Sequence, residues 1–198
     1  MSAKRRDTDM PVASRTKPIR LFIIEAQSPM DLLQNRGEAP ALEKACILIG
    51  HEVASLSAKS QAELKHLCQY ISDIDSDQDR RNRKDVPLCV HIATHGNKNG
   101  LSIGKDLVEW DDLFDILKPL CAMKYYDGDF ILVLSACEAR EQQLTSHFKK
   151  KATDASMRPP VYLFTTAEAA PTFSDALVSF YHQLPRVSLT DKKQLKRS

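Results

Sequence analysis

Two short stretches of this 198-residue chain end in residues that can do covalent chemistry. The run LCVHIAT over residues 88–94 is followed by His95 and Gly96, and the run FILVLS over residues 130–135 by Ala136 and Cys137. Both runs are apolar and short, the pattern of strands buried on both faces. In open α/β sheets, ligands bind outside the carboxyl ends of the strands. Parallel neighbours of this kind would bring His95 and Cys137 to one edge. A thiolate is the reactive form of cysteine. A nearby imidazole can accept the thiol proton and later hand it to a leaving amine. Gly96 fits a loop where a backbone N–H must approach a substrate oxyanion unobstructed.

Other constellations are weaker. Cys89, His91 and His95 fall on one side of a strand, but a lone group on an apolar face, with no second cluster, reads as core rather than zinc. A phosphatase loop needs an arginine where Gln143 stands. There is no Gly-x-Ser-x-Gly elbow and no Gly-rich phosphate loop. The aspartates of residues 72–85 lack the central glycine and final glutamate of a calcium loop. The expectation is therefore no metal and no cofactor.

The elements that must position the pair can be read from periodicity. Residues 19–25 (IRLFIIE), 52–56, 88–94, 130–135 and 161–165 read as strands. Residues 27–39 read as loop with one helical turn. Helices are expected over residues 41–49, closed by Gly50, and over residues 61–71, opened by the Ser60/Glu63 capping signature. Further helices are expected over residues 111–120, 141–151 and 172–184, and a hairpin over residues 100–109, turning at Gly104. His51 reads as a surface residue. The order predicts an α/β fold: a mostly parallel sheet of five to six strands with helices on both faces.

Composition agrees with one such domain over residues 18–185. The apolar share is 42% and the charged share 27%, those of an ordinary soluble chain. No apolar run is long enough to span a bilayer, and the first residues lack the apolar stretch of a secretory leader. The net charge of +2 is unevenly spread. Residues 1–17 carry +3 and residues 186–198 carry +4, which leaves about −5 on the body. The basic ends read as solvated tails without a nucleic-acid-binding motif. Five widely spaced cysteines, an odd number, suit a reducing cytoplasm, where most act as small buried apolar groups.

Taken together, VHIATHGN and ILVLSACEAR resemble the caspase-like cysteine peptidases, which include caspases, metacaspases, separases and bacterial CHAT-domain proteases. In that family an apolar strand delivers His-Gly, and the next, some 50 residues on, delivers the nucleophilic cysteine; here the gap is 42 residues. The Trp110-x-x-Leu113 stretch is similar to the bacterial branch. One departure is the sequence Glu138-Ala139-Arg140 after the cysteine, with no glycine.

The resemblance implies a caspase–hemoglobinase-like fold, with His95 as general base and acid and Cys137 as nucleophile. Backbone N–H groups of Gly96 and Cys137 would form the oxyanion hole. The specificity pocket would be lined by residues 25–31, by Ser135 and by residues 167–169. These segments contain Glu25, Asp31 and Glu168 and no arginine or lysine, which favours cleavage after Arg or Lys. The expected function is an intracellular endopeptidase acting on a protein substrate and held in check by a regulatory or sensor protein. Bacterial relatives of this kind act in defence or cell death. Neither nucleic acid nor membrane is an expected partner. The alternative is a catalytically silent caspase-like module that binds or scaffolds.

Overall fold

A computed structural model describes residues 18–76, 86–139, 144–151 and 156–165. Its strands are β1 (Arg20–Ala26), β2 (Glu52–Ser57), β3 (Leu88–Asn97), β4 (Gly100–Ile103), β5 (Asp106–Glu109), β6 (Phe130–Ser135) and β7 (Tyr162–Thr165). Its helices are α1 (Pro29–Leu33), α2 (Ala39–Leu48), α3 (Gln61–Ser72), α4 (Leu113–Cys121) and α5 (Leu144–Lys151). A 3₁₀ turn at Asp73–Ser76 follows α3.

The molecule is an α/β protein built on a seven-stranded, mostly parallel sheet flanked by helices. Five strands run parallel in the order β2, β1, β3, β6, β7. The hairpin β4–β5 adds two antiparallel strands beside the end of β3. The expectation of five to six strands is thus corrected to seven. The hairpin joins the same sheet because β3 is longer than its apolar run.

β3 has two kinds of partner along its ten residues. Leu88 to Ala93 pair parallel with β1 on one side and β6 on the other. His95, Gly96 and Asn97 then pair antiparallel with Ser102, Leu101 and Gly100. Gly96 therefore lies in a strand, not in the loop expected from the sequence. Trp110 Nε1–H donates to the Asn97 carbonyl at 3.0 Å, tying the far end of the hairpin to the segment that carries His95.

The two faces of the sheet bury separate cores. Ile24, Val90, Ile92, Leu132 and Leu134 face α3, α4 and α5, where Leu64, Ile71, Leu113, Leu117 and Phe148 pack against them. Leu21, Ile23, Cys89, Ile131 and Val133 face α2 through Ala39, Leu42 and Cys46. This split is the period-two alternation of a strand whose two faces are both covered.

Local chemistry sets the helix ends. α2 begins at Ala39, two residues earlier than the periodicity indicates, because Pro40 suits the first helical turn. It ends in a paired turn: Gly50 N–H donates to Ile47 O and His51 N–H to Cys46 O, each at 3.0 Å. Gly50 takes φ +89°, which only glycine adopts freely. α3 starts at Ser60, whose hydroxyl accepts the Glu63 amide. Glu63 itself reaches the Lys59 amide rather than that of Ser60, so the box is only half formed. His51 is buried, not on the surface as expected; its Nδ1 accepts the Ile19 amide at 3.4 Å.

Among the described residues, no helix is long and apolar enough to cross a membrane. The tails 1–17 and 186–198, the helix expected over 172–184 and Glu168 lie outside the described residues.

Ile92 stands between Ile24 of β1 and Leu134 of β6 and is fully buried. Truncation to Ala removes three carbons from the sheet centre and leaves a cavity. The expected cost is about 2–5 kcal/mol. It should appear as a lower urea midpoint with an unchanged denaturant slope.

Candidate functional site

The register of the parallel strands assembles the site. Glu25 pairs with Ala93, and Ala93 with Ser135, so one row of side chains crosses the sheet on the α2 face. His95 and Cys137 come two residues further along their chains, on the same face. They are held together by backbone contact. A Cβ placed on Gly96 would lie 2.4 Å from the Cys137 carbonyl oxygen and 3.3 Å from its nitrogen. No side chain fits there, so glycine is required by close approach and not by its φ angle.

A cleft of about 690 Å³ opens at this edge, a size suited to a ligand side chain and its backbone. His95, Cys137, Asp31, Glu25 and Ser135 all line it. The structure thus brings together five of the residues singled out from the sequence. Gly96 lies against Cys137 beside them.

Cys137 differs from the other four cysteines. It is partly exposed, whereas Cys46, Cys68, Cys89 and Cys121 are buried. Burial pushes the Cys46 thiol up to about 11 and the Cys121 thiol to about 12. Cys68 is also pushed to about 12, chiefly by burial and further by the nearby Cys121. Cys89 is raised by burial and by Cys46. None of these four can supply thiolate near neutral pH.

The loop after β1 delivers Asp31. Ser28 caps α1: its hydroxyl accepts the Asp31 amide at 3.2 Å. Asp31 Oδ2 accepts the Ser28 amide at 3.0 Å and the Ser28 hydroxyl at 2.6 Å. The same Oδ2 lies 2.8 Å from His95 Nε2. Asp31 was expected in the specificity pocket; it lines the cleft and there pairs with His95. The Ser28 hydroxyl, and after it His95, hold this carboxyl down at about 2.

Glu25 and Ser135 are also engaged. Glu25 Oε1 accepts the Glu38 and Ala39 amides at the start of α2, and burial raises its carboxyl above the usual range. Ser135 donates its hydroxyl to Glu38 Oε1 at 2.6 Å, and Glu38 Oε2 lies 3.0 Å from His91 Nε2. The sequence reading passed over Glu38. Pro40 is its signal in the sequence: proline suits the first turn of a helix, which puts residue 38 at the helix boundary. Arg36 lines the cleft as well and is exposed. It brings a cation that residues 25–31, 135 and 167–169 do not contain. Among the described residues, no group of three or more His, Cys, Asp or Glu is placed to hold a metal ion.

Two measurements follow from this geometry. Brief iodoacetamide treatment of the native protein should label Cys137 first by peptide mapping, the other four reacting only after denaturation. The Asp31 carboxyl lies below its unfolded value of 3.8. It therefore adds stability above that pH, and the addition is lost as pH falls through about 2. Asp31→Asn should lower the urea midpoint at pH 5, with the gap from wild type closing at pH 2.

No family model matches the sequence, and no curated protein matches it. Among solved structures, the chain is similar to caspase-1 from Spodoptera frugiperda at 16% identity and a TM-score of 0.44, covering 62% of this chain and 48% of that one. Against the pro-form, pro-sf-caspase-1, the values are 16%, 0.43, 62% and 52%. The chain spans about half the length of these structures.

Proposed function

We propose that this chain is a cysteine endopeptidase, with Cys137 as nucleophile and His95 as general base and acid. One observation carries the reading: the only partly exposed cysteine of the five lines the same cleft as a histidine, at the carboxyl edge of a parallel sheet. Cys137 Sγ gives its proton to His95 and bonds to the scissile carbonyl carbon. The oxyanion is met by the N–H groups of Gly96 and Cys137, whose backbones lie together. The C–N bond breaks as His95 returns the proton to the leaving amine. Water, deprotonated by His95, then cleaves the thioester and frees the sulfur.

The substrate side chain is selected by charge. Glu25, Asp31 and Glu38 outnumber Arg36 around the cleft, and that balance supports cleavage after Arg or Lys. A second reading is favoured by Arg36 itself. Each of the three carboxylates already accepts hydrogen bonds inside the protein, while Arg36 is exposed. That arrangement supports recognition of an acidic side chain. The wider proposal keeps a protein substrate, a place in a bacterial CHAT-like group acting in defence or cell death, and activity that depends on a partner protein.

Fluorogenic peptides ending in Arg, Lys, Asp or Glu decide between these readings. Hydrolysis should fall on the order of 10⁴-fold or more in Cys137→Ala. Preference for Arg or Lys supports the first specificity and preference for Asp or Glu the second. No hydrolysis by wild type, with a candidate partner present or absent, together with uniform slow labelling of all five cysteines, would leave the silent binding module.

A further inference from the structure

Beyond the pair, the geometry points to Asp31 as a positioning residue that fixes the tautomer of His95 and makes Nδ1 its proton-accepting nitrogen. This rests on the dyad reading and extends it to a three-residue unit. An ionised carboxylate only accepts hydrogen bonds. With Asp31 Oδ2 at 2.8 Å from Nε2, the neutral imidazole must carry its proton on Nε2. The free lone pair is then on Nδ1.

The carboxylate is well placed to impose this. Its side chain is 13% exposed, while that of His95 is 64% exposed. An exposed ring is free to rotate unless something buried holds it. Asp31 cannot swing away, because Ser28 binds the same oxygen through both amide and hydroxyl. Two residues of one short helical turn thus anchor the ring of a strand 64 residues away. The Ser28 contacts also keep the carboxylate ionised across the working pH range.

The consequence for the reaction is electrostatic. When Nδ1 takes the Cys137 proton, an imidazolium forms beside a thiolate. Asp31 offsets the new positive charge from the opposite side of the ring, and Nε2–H stays on the ring throughout. The other charged groups around the cleft are Glu25 and Glu38 from the β1 and α2 side and Arg36 from the intervening loop. None of these is bonded to His95 among the described residues.

The test needs no substrate. ¹⁵N-histidine spectra of the full chain report which nitrogen of neutral His95 is protonated. Iodoacetamide kinetics report the rate–pH profile of Cys137. Wild type should show the Nε2–H form. Asp31→Asn should lose it, move the midpoint of the Cys137 profile up by about one pH unit and slow alkylation at neutral pH about tenfold. Ser28→Ala, which weakens the α1 cap but keeps the carboxylate, should retain the Nε2–H form and most of the profile. A wild-type ring protonated on Nδ1 overturns the inference, whether or not any variant folds. So does an Asp31→Asn profile equal to that of wild type. His95→Ala separates the two levels. If it leaves alkylation unchanged, the dyad reading itself fails; if it slows alkylation while Asp31→Asn does not, only the role of Asp31 is lost.

Discussion

A thiol and an imidazole from strands 42 residues apart become a functional pair only if two backbones meet. In this protein they meet at Gly96, whose α-carbon lies against the peptide of Cys137. The strands on either side hold that contact in place. β3 and β6 run parallel in register, so their carboxyl ends emerge side by side. β3 continues past its parallel partners and is captured by β4, so the His95–Gly96 segment is held by ladder hydrogen bonds rather than left in a loop. The apolar residues of β6 are all buried, which fixes the other half of the contact. A one-residue slip between β3 and β6 would turn one of these two side chains, His95 or Cys137, to the opposite face.

The cleft's charges are arranged around the same edge. A buried carboxylate is costly unless hydrogen bonded, and each one here has a distinct set of donors. Glu25 takes the first amides of α2, where the helix leaves N–H groups unpaired. Glu38 takes the Ser135 hydroxyl and approaches His91. Asp31 takes Ser28 and His95. The segment between β1 and α2 is thus stitched to β3 and β6 by side chains from both sides. It is a loop by sequence, yet it forms one wall of the cleft.

The fold was legible because its signals were local. Alternating apolar strands and helices, the Gly50 end of α2, the Ser60 start of α3 and the Gly104 turn are each read within a few residues. The sheet's strand count was not, because the continuation of β3 through polar His95-Gly96-Asn97 depends on pairing with β4. His51 misled for a similar reason. Its type reads as surface, but the turn after α2 places it over the Ile19 amide. In the site, the candidate residues of β1, β3 and β6 follow from strand ends. The partnership of Asp31 with His95 and the place of Arg36 do not, since both depend on where a short helical turn sits over the sheet.

The residue after Cys137 carries the remaining constraint. Glu138 has φ 59°, the left-handed region that costs a non-glycine residue roughly 1–2 kcal/mol. A glycine there would meet the geometry without that penalty, and none is present. The conformation persists because both sides are pinned: Ala136 and Ala139 are buried, and β6 leads in fully packed. β6 ends at Ser135, and the chain leaves the sheet in a turn at Cys137 and Glu138. The strain at Glu138 and the glycine at position 96 both lie against the peptide of Cys137. One position gives up its side chain so that the two backbones can touch, and the residue after the cysteine gives up its preferred backbone where the chain leaves the sheet.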